Sequence, residues 1–350
     1  MSVSANPLSA DLDHIVEHLR PVADELRGAR LFITGGTGFI GCWMLESLAW
    51  ANDHLGLGAQ ALVLTRSLDV FQKKAPHLAC REDIRFHRGD VRDFAFPEGK
   101  FSHVIHAASP GSAKLNEDNP TAMLETMLLG TARTLGFSAR CGARKFLLTS
   151  SGAVYGLNMS ELTHGGEEYS NSTDKRLAHW AQAEGKRLSE LLCVLHGRRD
   201  RIEIKLARCF AFVGPYLPLD EHFAIGNFIR DALAGDPIII KGDGTPVRSY
   251  LYAADLAIWL WRILLQGKDG QAYDVGSERQ LSIAETAKAV SEAFPGGVPV
   301  SIAETPTPGQ APHIYVPDTS RAQQELGLRE WIGLDDGILR TARWHRRQLV

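Results

Sequence analysis

The chain has 350 residues, a length that predicts about two domains or one large one. Its formal net charge is −3, which gives no electrostatic reason to expect a nucleic-acid polymer or an anionic membrane as partner. No apolar run reaches about 18 residues, and the first residues lack an apolar core, so we expect neither a transmembrane helix nor a secretory signal. The five cysteines are scattered without CxxC pairs or metal-ligand spacing, which predicts reduced thiols, no metal and a cytoplasmic location.

The first 28 residues are predicted to form a helical extension. Apolar side chains recur at helical spacing over residues 9–27, and Pro21 divides that stretch into two short helices.

A regular alternation of strands and helices is predicted over residues 29–208. Its short apolar runs do not alternate with polar residues, which indicates strands buried on both faces of a parallel sheet. The predicted strands are Leu31–Thr34, Ala61–Thr65, Ile84–His87, His103–Ala107, Lys145–Ser150 and Ile202–Ala207. The predicted helices between them are Phe39–Trp50, Met123–Ala139 and Ala181–Leu195. This order favours an α/β fold with a doubly wound parallel sheet.

Prolines and glycines become frequent after Arg208, which predicts a smaller mixed α/β lobe. We assign residues 209–249 and 278–350 to this lobe, with elements near 250–277 returning to the first domain. Two helices are predicted here, Phe223–Ala234 and Ala253–Leu265, whereas 294–317 is expected to be mostly loop.

A glycine-rich loop follows the first predicted strand and precedes a helix. Its glycines allow a tight turn, backbone approach to a pyrophosphate and close packing of helix on strand, while the helix N-terminus offers free N–H groups to phosphates. The residues of this loop are Gly35, Gly36, Thr37, Gly38, Phe39, Ile40 and Gly41. The sequence therefore predicts a Rossmann domain that binds NAD or NADP.

The choice between the two cofactors depends on the end of the second strand. An acid that would bind the 2′-hydroxyl is absent there until Asp69, and Arg66 stands in its place. Arg66 favours NADP if it meets a 2′-phosphate, and is an exposed arginine beside an NAD site otherwise.

Seven further segments follow the glycine loop in a recognisable order. They are GDV at 89–91, HAAS at 106–109, SSGAVYG at 150–156, EGKRLSE at 184–190, LARCFAFVGP at 206–215, GDGTPVRSYLYAADLA at 242–257 and YDVGS at 273–277, after TGGTGFIG at 34–41. With them the chain resembles the extended short-chain dehydrogenase/reductase family, of the nucleotide-sugar epimerase, dehydratase and decarboxylase type. The resemblance implies a nucleotide-diphosphate sugar as substrate, bound by the smaller lobe, and a homodimer formed through the helices near 123–139 and 181–195.

The resemblance also implies roles for individual residues. Asp90 and Val91 would flank the adenine. Ala107, Ala108 and Ser109 would line the middle of the cofactor, with Ser109 also near the substrate. Arg248 and Tyr250 would contact the phosphates and base side of the sugar nucleotide.

The catalytic segment departs from the family at one residue. Ser151 matches the residue that orients the sugar hydroxyl, and Lys186 matches the lysine that holds the ribose and lowers a tyrosine's pKa. That tyrosine should stand at position 182, which is glutamine, and an amide cannot act as a general base. Three interpretations stay open: another relay through His179, Glu184 or Tyr169; a step that needs no such base; or a catalytically impaired binding protein.

Further departures concern the reaction. Dehydratases of the family carry an Asp–Glu pair where this chain has Gly152 and Ala153, and decarboxylases also use the second acid. The small residues therefore favour an epimerase or a 4-ketoreductase. Reduction of a non-nucleotide carbonyl is a third possibility. Met127, Ala211 and the stretch Thr307–Gln310 replace residues the family uses for specificity.

Overall fold

The computed structural model describes residues 6–109, 118–156 and 177–348. Within these ranges seven strands form one parallel sheet, in the spatial order β3-β2-β1-β4-β5-β6-β11. These strands are β1 (Arg30–Thr34), β2 (Gln60–Thr65), β3 (Ile84–Arg88), β4 (His103–His106), β5 (Lys145–Ser151), β6 (Glu203–Cys209) and β11 (Gln271–Val275). The predicted doubly wound parallel sheet is confirmed.

Both faces of the sheet are buried. Along β1, Leu31 and Ile33 pack into one hydrophobic cluster, whereas Phe32 packs into a second cluster on the opposite face. This arrangement explains why the strand sequences are continuously apolar: side chains on alternating faces both need an apolar environment.

Helices cover the two faces. The described ranges contain the helices α1 (Ser9–Leu19), α2 (Phe39–Leu55), α3 (Leu68–Lys74), α4 (Pro76–Ala79), α5 (Pro120–Cys141), α6 (Leu177–Asp200), α7 (Ala224–Ala234), α8 (Ala253–Gln266), α9 (Ile283–Glu292), α10 (Ser320–Leu326) and α11 (Leu334–Gln348). Helices α5 and α6 pack against each other on one face, while α1, α2 and α8 pack together on the other.

Local sequence signals set the ends of these helices. Asn119 caps α5 by accepting a hydrogen bond from the Ala122 N–H at 3.0 Å, and Pro120 occupies the first helical position, where its missing N–H is not needed. Gly142 ends the same helix in the left-handed conformation, with φ of 74°.

Helices α7, α9, α10 and α11 lie in the residues predicted to form the smaller lobe. The described strands outside the large sheet are β7 (Phe212–Val213), β8 (Ile238–Ile240), β9 (Val247–Arg248), β10 (Leu251–Tyr252), β12 (Leu281–Ser282), β13 (Val300–Ile302) and β14 (Ile314–Tyr315). They pair as β7 with β10, β8 with β13, and β9 between β12 and β14. The last pairing places Tyr315 beside Arg248, next to the carboxyl end of the large sheet.

The N-terminal helix α1 packs on α8. Pro21 separates α1 from a short 3₁₀ turn at Ala23–Leu26. The Tyr252 hydroxyl donates a 2.7 Å hydrogen bond to the Asp11 carboxylate, which ties α1 to the start of α8. The domain boundaries given above stay a prediction.

Candidate functional site

A cleft of about 530 Å³ lies at the carboxyl ends of β1, β2 and β4. Ligands of doubly wound sheets bind at this edge, where the loops that follow the strands converge. The predicted cofactor residues that line the cleft are Gly35, Thr37, Gly38, Arg66, Asp90, Val91, Ala107, Ala108 and Ser109. Gly36, Phe39, Ile40 and Gly41 belong to the same loop and to the first turn of α2, behind this lining.

The loop glycines are required by close backbone contacts. Gly35 has φ of 72°, and a Cβ atom there would lie 2.4 Å from the carbonyl carbon of Ala107. A Cβ on Gly41 would lie 2.3 Å from the Gly35 oxygen. Gly38 is the N-cap of α2, so the free N–H groups of that helix face the cleft. The loop thus has the close packing and the exposed donors that a pyrophosphate needs.

The adenine side of the cleft contains a residue that the sequence analysis missed. Arg92 lines the cleft and its Nε donates a 2.8 Å hydrogen bond to Asp90. This hydrogen bond to Arg92 lowers the pKa of Asp90, which is therefore ionised at neutral pH. Arg92 could have been identified from the sequence by its position two residues after Asp90.

A buried chain of hydrogen bonds connects the phosphate-loop strand with α6. Burial lowers the pKa of His106 to about 3, so its ring is neutral and carries a single N–H. One direction of donation satisfies every group. The Thr34 hydroxyl donates to His106 Nδ1 (2.7 Å), and the His106 Nε2–H donates to the Thr131 hydroxyl (3.1 Å). Thr131 then donates to Ser189 Oγ (3.2 Å), which donates to the Gly185 carbonyl oxygen (2.8 Å). It fixes β1, β4, α5 and α6 relative to one another beneath the cleft.

Two of the three predicted catalytic residues lie on adjacent elements. Ser151 ends β5, and its Oγ accepts a 3.1 Å hydrogen bond from the Ala153 N–H. Lys186, on α6, is 6% exposed and donates to the Thr149 carbonyl of β5 at 2.8 Å. Burial lowers the pKa of Lys186 to about 8. Gln182 lies one turn earlier on α6 and is partly exposed.

Only one of the three alternative relay residues has a described side chain. Glu184 forms an ion pair with Arg187, one turn along α6. Tyr169 and the side chain of His179 lie outside the described residues.

A network of polar side chains beside Ser151 was not predicted. Arg208 makes a bidentate ion pair with Glu190, at 2.7 and 3.0 Å, and donates to the Tyr155 hydroxyl at 2.8 Å. Tyr155 in turn donates to Asp274 at 2.8 Å, and Ser150 donates to Glu190 at 2.5 Å. Burial raises the pKa of Asp274 to about 6. The network joins β5, β6, α6 and β11 at the edge of the site.

The Asp274→Asn variant is expected to be more stable than the parent at neutral pH. The pKa of Asp274 is raised from 3.8 to about 6, so the native state binds its proton more tightly than the unfolded state does. The stability that this contributes is present below pH 4 and is lost as the pH rises through about 6. Replacing the carboxylate removes this loss, so the variant should gain about 2 kcal/mol at pH 7 and almost nothing at pH 4. Urea unfolding at both pH values measures the difference, and an equal gain at both would contradict the assignment.

Gly152, where the family's dehydratases carry an acid, faces an aromatic ring. A Cβ atom at this position would lie 2.6 Å from two atoms of the Phe210 ring. Phe210 is buried and its ring centroid lies 4.7 Å from that of Tyr315. The ring therefore occupies the space that a side chain at position 152 would need.

We expect Gly152→Ala to lower the free energy of unfolding by about 1–3 kcal/mol, because a packed ring must shift. The matched control is Gly333→Ala, since Gly333 has an ordinary φ and no atom within 4 Å of its would-be Cβ. In a Phe210→Leu background the loss from Gly152→Ala should shrink. Equal losses in the two backgrounds would show that Phe210 is not the obstacle.

The predicted substrate residues lie in different environments. Arg248 is partly exposed, with its guanidinium 5.8 Å from the centroid of the Tyr315 ring and hydrogen-bonded to the Val247 and His313 carbonyls. Tyr250 is 5% exposed, and burial raises its pKa to about 12. Its side chain lies in the main hydrophobic core and lines neither the first cleft nor a second cavity of about 1010 Å³ between α7 and β8.

Two general properties concern only the part of the chain that the structure describes. In these residues no three His, Cys, Asp or Glu side chains are grouped closely enough to hold a metal ion. The described helices include none with the length and hydropathy needed to cross a membrane.

Comparison with known proteins gives the family. Residues 31–276 match the model of the NAD dependent epimerase/dehydratase family. UDP-glucuronic acid decarboxylase 6 of Arabidopsis thaliana is 31% identical over 310 residues, which are 88% of this chain and 86% of that protein.

Solved structures agree on the fold. An epimerase from Methanothermobacter thermautotrophicus superposes with a TM-score of 0.76 at 23% identity, covering 98% of this chain and 97% of that one. The dTDP-glucose 4,6-dehydratase of Streptomyces venezuelae gives 0.73 at 24% identity, covering 91% and 97%. The predicted extended short-chain dehydrogenase/reductase type and its nicotinamide dinucleotide cofactor are confirmed. The chain belongs to the NAD dependent epimerase/dehydratase family.

Proposed function

We propose that the protein binds a nucleotide-diphosphate sugar and catalyses hydride transfer at the sugar ring, as an epimerase or a 4-ketoreductase. The observation that carries this proposal is the placement of Ser151 and Lys186 on adjacent elements, β5 and α6, at the same sheet edge as the dinucleotide cleft. Bound NAD would supply or accept the hydride. Ser151 would orient the reacting hydroxyl, and Lys186 would hold the nicotinamide ribose.

The cleft fits a dinucleotide on three counts. Gly35 lets the loop pack against the Ala107 backbone at the floor of the cleft, α2 directs its free N–H groups into the cleft, and Arg66 adds positive charge at the adenine end, beside the Asp90–Arg92 ion pair. The sequence left the choice between NAD and NADP open; Arg66 favours NADP, whereas the family's description names NAD.

Nucleotide sugars are favoured as substrates by the relatives. The Arabidopsis relative is a UDP-glucuronic acid decarboxylase, and the Streptomyces neighbour is a dTDP-glucose dehydratase. Gly152 and Ala153 argue against the same reactions here, since the acids that expel water or assist decarboxylation are absent and Phe210 blocks position 152. Epimerisation and ketone reduction need only hydride and proton transfer.

The alternative is a catalytically impaired protein that binds sugar nucleotide and cofactor. Gln182 favours it, because the amide cannot exchange a proton at neutral pH. Ser151 and Lys186 would then serve in binding alone.

A panel of UDP-, GDP-, dTDP- and CDP-sugars and their 4-keto derivatives, assayed with reduced and oxidised NAD and NADP, tests the proposal. We expect at least one pair to change the nicotinamide absorbance or, for an epimerase, to yield the epimer of the added sugar nucleotide. Binding of cofactor and sugar nucleotide with neither result, followed by turnover in Gln182→Tyr, would establish the alternative. Reduction of simple ketones, unaffected by Arg248→Ala, would instead indicate a non-nucleotide carbonyl as substrate.

The proposed assembly is a homodimer through α5 and α6. Four leucines on these helices, Leu129, Leu188, Leu191 and Leu195, are exposed by 42–54%. Leu188, Leu191 and Leu195 recur at helical spacing, and exposed apolar side chains on one helix face favour a partner surface. Sedimentation of the parent and of a Leu191→Lys variant measures whether this face joins two copies.

A further inference from the structure

The tyrosines that the structure describes differ in what their hydroxyls contact. Four of them donate to carboxylates: Tyr155 to Asp274, Tyr216 to Glu46, Tyr252 to Asp11 and Tyr273 to Glu325. Tyr250 is buried and hydrogen-bonded to Thr286. Among residues 6–109, 118–156 and 177–348, Tyr315 is the tyrosine whose hydroxyl reaches Ser151, with 3.4 Å between the two oxygens.

Tyr315 is held in this position by the small lobe. Its strand, β14, pairs with β9 so that Tyr315 lies opposite Arg248. Its ring packs against Phe210 on one side, and its hydroxyl lies 3.5 Å from the Cys209 carbonyl oxygen. The side chain is partly exposed, so it lies at the border between the lobe and the catalytic edge of the sheet.

One arrangement of the hydrogen bonds at Ser151 leaves its proton available. A serine hydroxyl accepts two hydrogen bonds and donates one. The single Tyr315 hydroxyl proton can be donated to the Cys209 carbonyl oxygen at 3.5 Å or to Ser151 Oγ at 3.4 Å. In the second case the Ala153 N–H and the Tyr315 hydroxyl both donate to Ser151 Oγ, and the serine keeps its own proton for a third partner. A sugar oxygen bound at Ser151 would be that partner.

We propose that Tyr315, acting through Ser151, supplies the proton that the residue at position 182 cannot. This inference rests on the proposed function. In ketone reduction Ser151 Oγ gives its proton to the carbonyl oxygen, Tyr315 Oη replaces that proton, and water reprotonates the phenolate. Bound reduced cofactor would supply the hydride to the carbonyl carbon, so one ketone, one hydride and one proton would yield one alcohol. Tyr315 is thus a relay residue that reaches the substrate through Ser151.

The protonation state of Tyr315 suits the direction of reduction. Burial raises the pKa of Tyr315 to about 12, and the Asp274 carboxylate acts in the same direction, while a hydrogen bond donated by Ser151 and the Arg248 charge act against it. At neutral pH the phenol is therefore protonated and ready to donate. In the oxidative direction the same group would have to lose its proton first.

The contact itself is tested without turnover. Protein labelled with 3-fluorotyrosine gives a ¹⁹F resonance for position 315, assigned by its loss in Tyr315→Phe. Ser151→Ala should shift this resonance, whereas Ser102→Ala, at the opposite edge of the sheet, should leave it in place. An unchanged resonance in Ser151→Ala would overturn the proposed relay.

The relay is tested with the sugar nucleotide that the panel identifies. Tyr315→Phe should lower kcat about 100-fold with little change in KM, because proton transfer and not binding is lost. Ser151→Ala breaks the same relay without altering the aromatic packing and should also lower kcat. Adding Gln182→Tyr to Tyr315→Phe should restore turnover, and the matched control Tyr273→Phe should behave as the parent.

Failure of the relay and failure of the proposed function give different results. A fully active Tyr315→Phe variant would overturn the relay and leave the proposed function standing. An intact ¹⁹F contact with no nicotinamide chemistry in the parent or in any variant, Gln182→Tyr included, would overturn the proposed function and the relay with it.

Discussion

Replacing Gly35 by alanine should abolish binding of the dinucleotide. The backbone at this residue has φ of 72°, and the new methyl group would lie 2.4–2.5 Å from three backbone atoms of Ala107 and Ala108. Backbone atoms cannot move aside as a flexible side-chain end can, so β1 and β4 would have to separate at the floor of the cleft. We expect cofactor affinity to fall at least 100-fold, measured by quenching of protein fluorescence or by calorimetry with NADH and NADPH.

The control variant separates the effect of the clash with Ala107 from the effect of a positive φ at an alanine. Gly56, at the end of α2, has φ of 59° and no atom within 4 Å of its would-be Cβ. Gly56→Ala should lower the free energy of unfolding by about 1 kcal/mol, the ordinary penalty for a left-handed alanine, and leave cofactor affinity unchanged. Similar cofactor affinity in Gly35→Ala and Gly56→Ala would show that the close approach at Ala107 is unimportant for binding.

The sheet could be predicted from the sequence because its strands are buried on both faces. Predicted Lys145–Ser150 became Lys145–Ser151, and predicted Ile84–His87 became Ile84–Arg88. Helix ends were less accurate, as for α2, which was expected to end at Trp50 and continues to Leu55. Its last turn is polar and exposed, so hydrophobic spacing gives no signal there, while Gly56 marks the true end.

The smaller lobe was predicted less well, for a physical reason. Strands β9, β10 and β14 contain two residues each, too few to show a period of two. β14 lies in the proline-rich stretch that was expected to be mostly loop. It forms by pairing with β9, and the paired residues Ile314 and Val247 are 67 positions apart in the chain. Such pairings depend on tertiary contacts that local sequence does not reveal.

The same limit applies to the candidate site. Its glycine loop, Ser151 and Lys186 are local signals, and the structure places them at one edge of the sheet. Tyr315 contacts Ser151 across 164 positions of the chain, and Asp274 contacts Tyr155 across 119. Position 182 indicated that a proton-transfer group was missing, but only the fold shows which hydroxyl lies close enough to replace it.

The Lys186→Met variant should lose cofactor affinity yet gain stability. Among the residues that the structure describes, no carboxylate is hydrogen-bonded to the buried Lys186 ammonium group, and the pKa of Lys186 falls from 10.5 to about 8. A shift of this size disfavours the charged form by about 3 kcal/mol at pH 7. Removing the lysine also leaves the Thr149 carbonyl without this donor, which offsets about 1–2 kcal/mol. We expect a net gain of about 1–2 kcal/mol in the free energy of unfolding, together with weaker NADH binding and loss of turnover.

The pH dependence gives this prediction its sign. Because the native state binds the Lys186 proton less tightly than the unfolded state does, the parent gains stability as the pH rises from about 8 to 10.5. The advantage of Lys186→Met should therefore be full below pH 8 and disappear near pH 10. Lys205 is the matched control, since it is 2% exposed but paired with Glu203 at 2.7 Å. Lys205→Met should destabilise the protein. Denaturant unfolding of both variants from pH 7 to 10 measures the two effects. A higher free energy of unfolding in both variants, or in neither, would mean that burial of the Lys186 charge does not limit stability.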